Sequence, residues 1–340
     1  MLINAIILVI KNVSKGGLFH IFFGSILTKA IGYFSSIVVI NYISKVEYAS
    51  LSYAVNIYTY INLLSGLGIG YAQLKYCSSN SDFEKNFEYL RFSLLFDALI
   101  NSILVIAILI FIHFYDLPFI KSKIYFLLLS ILQIMLGSLT VLQIYIRTEF
   151  KNKLYATVGV IVSSVILIFG IVFVRIYDGY GYVLAQYIGV LSGLIICGWS
   201  VKKTITTYRR NASKKTKLLH RDYLAFISLG ISMMMTNLFS GIMPINETFL
   251  VNNLLQNEVI TANFNVAGLL PSQLQIISGA LVIYYFPQIA KMGINKLVWR
   301  KCIHIGLASF LMVIIISSFG IIITPYLIKF LYGNKYLDAI

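Results

Sequence analysis

Lys29 and Asp97 each lie in the middle of a long apolar run of this 340-residue chain. A charge at the centre of a hydrocarbon-spanning helix costs roughly 2.5–3.5 kcal/mol on insertion scales, so such residues mark function by default. A Lys29–Asp97 ion pair serving only as a structural bridge is the competing reading. Arg147 and Glu247 stand nearer the ends of their runs, where a long side chain can reach water. Around these four run stripes of weaker polar residues. Ser25, Thr28, Gly32 and Ser35 recur every three or four positions, as do Ser52, Asn56, Thr59 and Gly66, with Asn62 and Gln73 close by. The same holds for Ser93, Asp97 and Asn101, for Ser130, Gln133, Gly137 and Thr140, and for Ser232, Thr236, Ser240, Pro244 and Glu247. Residues at that spacing share one face of a helix. Because an unsatisfied polar group in hydrocarbon is expensive, these faces are expected to turn toward a common wet interior. Hydrogen bonding between helices, worth about 0.6–2 kcal/mol each, is the alternative for every uncharged member.

Other chemistries lack their residues. His20, His113, His220 and His304 form no HExxH pair, and no Walker loop is present. Gly66-Leu67-Gly68-Ile69-Gly70 lacks the spacing and flanking strand of a dinucleotide site, and is read as small residues that let helices approach closely. Cys77, Cys197 and Cys302 have no metal or redox spacing and read as small hydrophobes. No cofactor is expected. A chain without an ATP site must use a gradient or move its substrate downhill.

The elements that carry these residues are transmembrane helices. Windows of about 20 apolar residues place nine spans, near 17–41, 49–74, 90–114, 124–146, 154–176, 180–201, 223–250, 262–290 and 301–324. Most of the 27 lysines and arginines fall on alternate connections, which puts the N-terminus in the cytoplasm by the positive-inside rule. A composition 59% hydrophobic and 11% charged, with mean hydropathy +0.86, leaves too little polar surface to coat a soluble globule. The net charge of +15 therefore reads as cationic loops facing anionic headgroups. The densest run, Lys202 to Arg221, has no aromatic-rich module beside it, so nucleic acid is not an expected partner. Ile3 to Ile10 lacks the basic lead and cleavage site of a signal peptide. Asp178-Gly179 is expected to form the turn between the fifth and sixth spans, while Pro244 and Pro271 are expected to kink the seventh and eighth. A fixed offset matches Ala49, Ala54, Ser65, Gly66 and Tyr71 with Ala262, Ala267, Ser278, Gly279 and Tyr284, consistent with a parallel repeat around a cavity.

Lys15-Gly16-Gly17-Leu18-Phe19, Gly24 to Lys29, Ile31-Gly32-Tyr33, Lys45-Val46-Glu47-Tyr48 and Leu63 to Gly68 together resemble the polysaccharide-export flippases. Tyr180-Gly181-Tyr182 and Lys329 to Gly333 extend the likeness. These Wzx-type O-antigen and capsule transporters share a superfamily with the MATE exporters and the peptidoglycan-precursor flippases. The resemblance implies an all-α, polytopic, two-lobe bundle: a six-helix lobe over 1–201, a basic cytoplasmic linker over 202–222 and a three-helix remainder of the second lobe over 223–340. The family has more helices than nine, so a truncated second lobe is expected. Glu247 stands where the family often has aspartate.

The implied activity is transport across the bacterial cytoplasmic membrane, with no bond made or broken. An undecaprenyl-pyrophosphate-linked oligosaccharide would enter between the lobes, and rocking would expose it to the other side. Lys29 and Arg147 are candidates for the pyrophosphate, and Asn56, Tyr60, Gln73 and Gln133 for the sugars. Asp97 or Glu247 would couple the cycle to a proton or sodium gradient. Implied partners are the lipid-linked oligosaccharide and membrane lipids, with a polysaccharide polymerase and a chain-length regulator as further candidates. Two alternatives remain. A MATE-type drug or cation antiporter would share the fold but favour an acidic cavity, against Lys29. A membrane-embedded glycan polymerase or acyltransferase would need a large outer loop or a His/Arg constellation, and only His113 lies near an outer edge.

Overall fold

The helix Phe83–Phe114 shows most directly what kind of solvent this chain folds in. Its buried residues include Ser93, Asp97 and Asn101, whereas Leu95, Leu99, Ile103, Ile106 and Ile110 on the opposite stripe are each more than half exposed. A soluble helix shows the reverse pattern, and only hydrocarbon tolerates an outer surface of this kind. The computed structural model describes residues 18–79, 82–115, 117–119, 121–211, 218–272 and 296–339. Among these residues all regular structure is helical, without strands. The order is α1 (Leu18–Tyr42), α2 (Lys45–Leu64), a 3-10 segment (Ser65–Gly68), α3 (Ile69–Ser79), α4 (Phe83–Phe114), α5 (Ser122–Thr148), α6 (Asn152–Asn211), α7 (His220–Leu255), α8 (Glu258–Ser272), α9 (Lys296–Tyr332) and a closing 3-10 turn (Gly333–Ala339).

Six helices among the described residues are long and apolar enough to cross a bilayer. One of them, α6, supplies both the fifth and the sixth expected spans. Its 60 residues reverse at Asp178, whose φ of 52° and ψ of −133° are not helical. Beyond that point a Cβ on Gly189 would touch Ile166, and one on Gly193 would touch Val162, so the two rods run antiparallel. The expected turn at Asp178-Gly179 is therefore present. The expected second span is α2 and α3 with the 3-10 segment between them, and it is broken where the sequence reads as continuous. The eighth span is described only as far as Ser272. Pro271 lies inside α8, while Ser278, Gly279 and Tyr284 of the proposed repeat, the stretch Ile3 to Ile10 and part of the basic run after Asn211 lie outside the described residues.

The chain divides by contacts into two compact units, Met1–Glu258 and Val259–Ile340. In the first, α1 packs along α6, α5 packs against α2, α4 and α6, and α7 lies on α2, α3 and the 3-10 segment. The α1 interface is carried by small residues: a Cβ on Gly24 would strike Ala156, one on Gly159 would meet Thr28, and one on Gly170 would approach Ser35. Close backbone approach of this sort substitutes in membranes for the missing hydrophobic drive. Span seven thus packs on the first unit, although the sequence reading groups it with the second lobe. Helices that touch at rest need not belong to one lobe. In the second unit α9 exposes Leu307, Phe310, Leu311, Ile314, Ile315 and Phe319, again an apolar exterior.

Candidate functional site

The break in the second span is built by three consecutive residues with left-handed backbone. Gly66 has φ 53°, Leu67 46° and Gly68 71°. Glycine adopts this region freely, but for leucine it costs about 1–2 kcal/mol. Strain of this kind persists only where the surroundings hold it in place. Here they are tight. A Cβ on Gly66 would collide with Oδ1 of Asp97, and one on Gly68 with the carbonyl oxygen of Gly230 on α7. On the far side, a Cβ on Gly137 of α5 would collide with both Oδ2 of Asp97 and Nδ2 of Asn101. The Asp97 carboxyl is thus clamped between two glycines.

From the break a hydrogen-bonded chain crosses to α5 and back to α4. The Tyr58 hydroxyl donates to Oε1 of Gln133. Nε2 of Gln133 donates to Ser65 Oγ at 2.5 Å and to Asn62 Oδ1 at 3.2 Å. Ser65 Oγ in turn donates to Asn101 Oδ1 at 3.0 Å. The run ends there. Neither Asn101 Nδ2 nor Asp97 Oδ2 has a hydrogen-bond partner among the described residues, and the two side chains are 0% and 3% exposed.

On its other side the break opens to a cavity of about 360 Å³ lined by Asn62, Leu63, Ser65, Gly68, Tyr71, Met234, Asn237 and Gly241. Its lining carries amides, hydroxyls and apolar groups but no ionised side chain. Helix α7 touches the rest of the unit on both sides of this cavity. Toward its start, Phe226 stacks on Tyr89 at 4.7 Å and lies against Tyr76 at 5.4 Å, and Tyr223 lies 4.7 Å from Phe92. Toward its end, Tyr60 donates to Asn246 Oδ1 at 2.5 Å and Tyr53 to Asn253 Oδ1 at 3.0 Å. The cavity lies between these two sets of contacts and is partly open.

A second polar cluster ties together three connections. Ser44 caps α2 by accepting from the backbone N–H of Glu47 at 3.1 Å, as N-cap serines do. The Glu47 carboxylate, 6% exposed, accepts from Lys121 Nζ at 2.6 Å and from the Tyr125 hydroxyl. Lys121 and Tyr125 are four apart, hence on one face at the start of α5. A Cβ on Gly179 at the α6 reversal would reach Tyr125 and Glu47. The hydrogen bond and then the charge of Glu47 raise the pKa of Lys121 above its ordinary value.

Of the residues singled out from sequence, Asp97, Gln133 and the neighbouring Asn62 come together at the break. Tyr60 binds α7, and Asn56 is buried on α2. Gln73 is buried and donates to the Val141 carbonyl at 3.3 Å, a helix-to-helix contact rather than a lining position. The cations stand apart from this cluster. Lys29 is exposed on α1, and among the described residues it forms no ion pair with Asp97, so the bridge reading is corrected. Arg147 sits at the end of α5 with its guanidinium 5.8 Å from the Tyr155 ring centroid. Glu247 is exposed on α7. The stripes of α4 and α5 are buried against the break instead of facing an open hollow. Ser65, Tyr58 and Glu47 are functional-looking positions that carried no site assignment from sequence. Tyr58 and Ser65 sit seven apart around Asn62, which is the signal a face-by-face reading offers.

Apolar outer faces, a clamped interior carboxyl and a polar cavity beside a broken span define a multi-pass membrane protein. Residues 14–293 match the model of the family described as polysaccharide biosynthesis protein, and the chain belongs to that family. No curated protein matches it. Among solved structures, a MOP superfamily transporter from Pyrococcus furiosus, reported with a binding pocket of reversed polarity, aligns over 95% of this chain and 75% of its own with a TM-score of 0.55. At 13% identity that likeness is one of fold.

Proposed function

We propose that this chain translocates a lipid-linked oligosaccharide of the undecaprenyl-pyrophosphate type across the bacterial cytoplasmic membrane by alternating access. The observation that carries the proposal is the uncharged polar lining of the cavity. Amides of Asn62 and Asn237, the Ser65 hydroxyl and the Tyr71 ring match the hydroxyls and the apolar faces of a sugar. A cation exporter needs an anionic lining instead. The volume lies at the low end of the usual range of about 300–1,000 Å³, so it accommodates part of a head group while the lipid tail stays in the bilayer. Contacts of α7 on either side of the cavity would open in turn, with Tyr53 and Tyr60 on one side and the Phe226 cluster on the other.

Lys29 and Arg147 are the proposed pyrophosphate contacts, made as the head group enters, because neither lines the cavity. Asn56, Gln73 and Gln133 act behind the lining, while Tyr60 acts at its closure. Coupling to an ion gradient falls to Asp97 or Glu247. The N-terminus lies in the cytoplasm, and a polysaccharide polymerase and a chain-length regulator would receive the product. In proteoliposomes carrying a lipid-linked oligosaccharide, Asn62→Ala with Asn237→Ala is expected to slow translocation about tenfold, the loss of about 1.4 kcal/mol of binding. Lys29→Ala is expected to weaken capture of the pyrophosphate. Parental rates in both variants would remove the sugar site and the cationic contact.

A further inference from the structure

We propose that Asp97 is a proton-binding site, in which the carboxyl is held as the neutral acid against Asn101 beside the break in the second span. The proposal builds on the gradient-driven reading for the use of the site, but its existence stands on geometry alone. Three observations converge. The carboxyl is 3% exposed in the middle of a 32-residue apolar helix, where an uncompensated charge is expensive. Among the described residues no cation compensates it. From α5 it meets Gly137, with Gln133 one turn away, from the 3-10 segment Gly66, and from its own helix Asn101, to which Ser65 donates. The titratable Tyr76 and Cys77 of α3 lie toward the far end of that helix, where they meet Tyr89 and Asn86. Asn101, one helical turn along, is the polar side chain beside it.

The third observation separates a proton from a metal cation. Donation runs one way, from Tyr58 to Gln133 to Ser65 to Asn101 Oδ1, so the amide group left facing the carboxyl is the NH2. A sodium ion needs several oxygen ligands. This site presents one carboxyl and a donor, and Gly66 and Gly137 press on the carboxyl so closely that a coordination shell has no room. A proton needs none of this space. The route is short as well: Ser65 lines the cavity and is one hydrogen bond from Asn101. A neutral Asp97 tolerates the closed packing, whereas an ionised one demands water or a cation and so drives the break open toward the cavity.

Infrared difference spectroscopy on the purified full chain in lipid tests this. At neutral pH the parent should show a protonated-carboxyl C=O band that shifts when the chain is grown with carboxyl-13C aspartate. The band should vanish in Asp97→Asn and persist at altered frequency in Ser65→Ala, where the Asn101 amide loses its donor. Sodium in place of choline should leave it unchanged. The label-induced shift needs no mutant, so a misfolded Asp97→Asn leaves the test intact. A band insensitive to the label, no band at all, or loss of the band on adding sodium overturns the proposal. No glycan is involved, so failure of oligosaccharide transport and failure of the proton site are read separately.

Discussion

Two buried carboxylates in one unit are solved in opposite ways. Glu47 is matched by a lysine at 2.6 Å and by a tyrosine hydroxyl, and it fastens the starts of α2 and α5 to the reversal of α6. Asp97 has two glycines for neighbours and an oxygen with no partner. A buried charge that has its partners is part of the scaffold, while one that lacks them is costly unless it does something. The contrast separates a fully partnered carboxylate at one end of the unit from an incompletely partnered one in its middle.

The strongest way to break this contrast is to crowd the middle. Gly66→Ala adds the left-handed penalty of about 1–2 kcal/mol to a collision with Asp97, for a total of roughly 2–5 kcal/mol once overpacking is included. Gly137→Ala collides with Asp97 and Asn101 together. Both are expected to reduce the monodisperse fraction on detergent size-exclusion chromatography. Next comes Glu47→Ala, which leaves the fully buried Tyr125 hydroxyl without its acceptor and should cost about 1–3 kcal/mol, read as a lowered Tm. Asp97→Asn should change Tm little or raise it, because it removes a buried acid with an unsatisfied oxygen. If the two carboxylates gave equal losses, the contrast would be wrong.

Lys121 sharpens the picture at smaller scale. Its folded pKa is raised by the Glu47 hydrogen bond, so the stability it contributes is complete below the ordinary lysine value of 10.5 and disappears as pH rises through the folded value. Lys121→Gln should therefore melt below the parent at neutral pH, and the gap should close at pH well above 10.5. The lysine side chain is 52% exposed, so the effect should be smaller than that of Glu47→Ala. Ser65→Ala, which takes its donor from the buried Asn101 amide, should lower Tm by less than Glu47→Ala while altering the environment of Asn101.

The apolar runs made the helical, membrane-crossing architecture legible, and the stripe Ser93, Asp97, Asn101 correctly gave the inward face of α4. Asp97 was legible because an acid in mid-span is conspicuous by its cost. The break was not. Glycines serve close packing and left-handed backbone alike, and Gly66 to Gly70 do both, since Gly68 and Gly70 also admit Gly230 and Ile144. The Leu67 conformation leaves no mark in composition. Lys29 was expected inward and lies exposed, because the polar stripe of α1 is spent on α6 through Thr28 and Ser35. Glu47 went unassigned because its partner Lys121 is 74 positions distant in the chain.

Gly68 and Gly230 meet main chain to main chain, with no side chain between them to flex. A tilt of α7 at that point cannot be absorbed by a rotamer change, so it must pass directly into the peptide units of the interrupted span. Two bare strips of backbone in this way make a stiff mechanical joint, and its stiffness links whatever pulls on α7 to the geometry around Asp97.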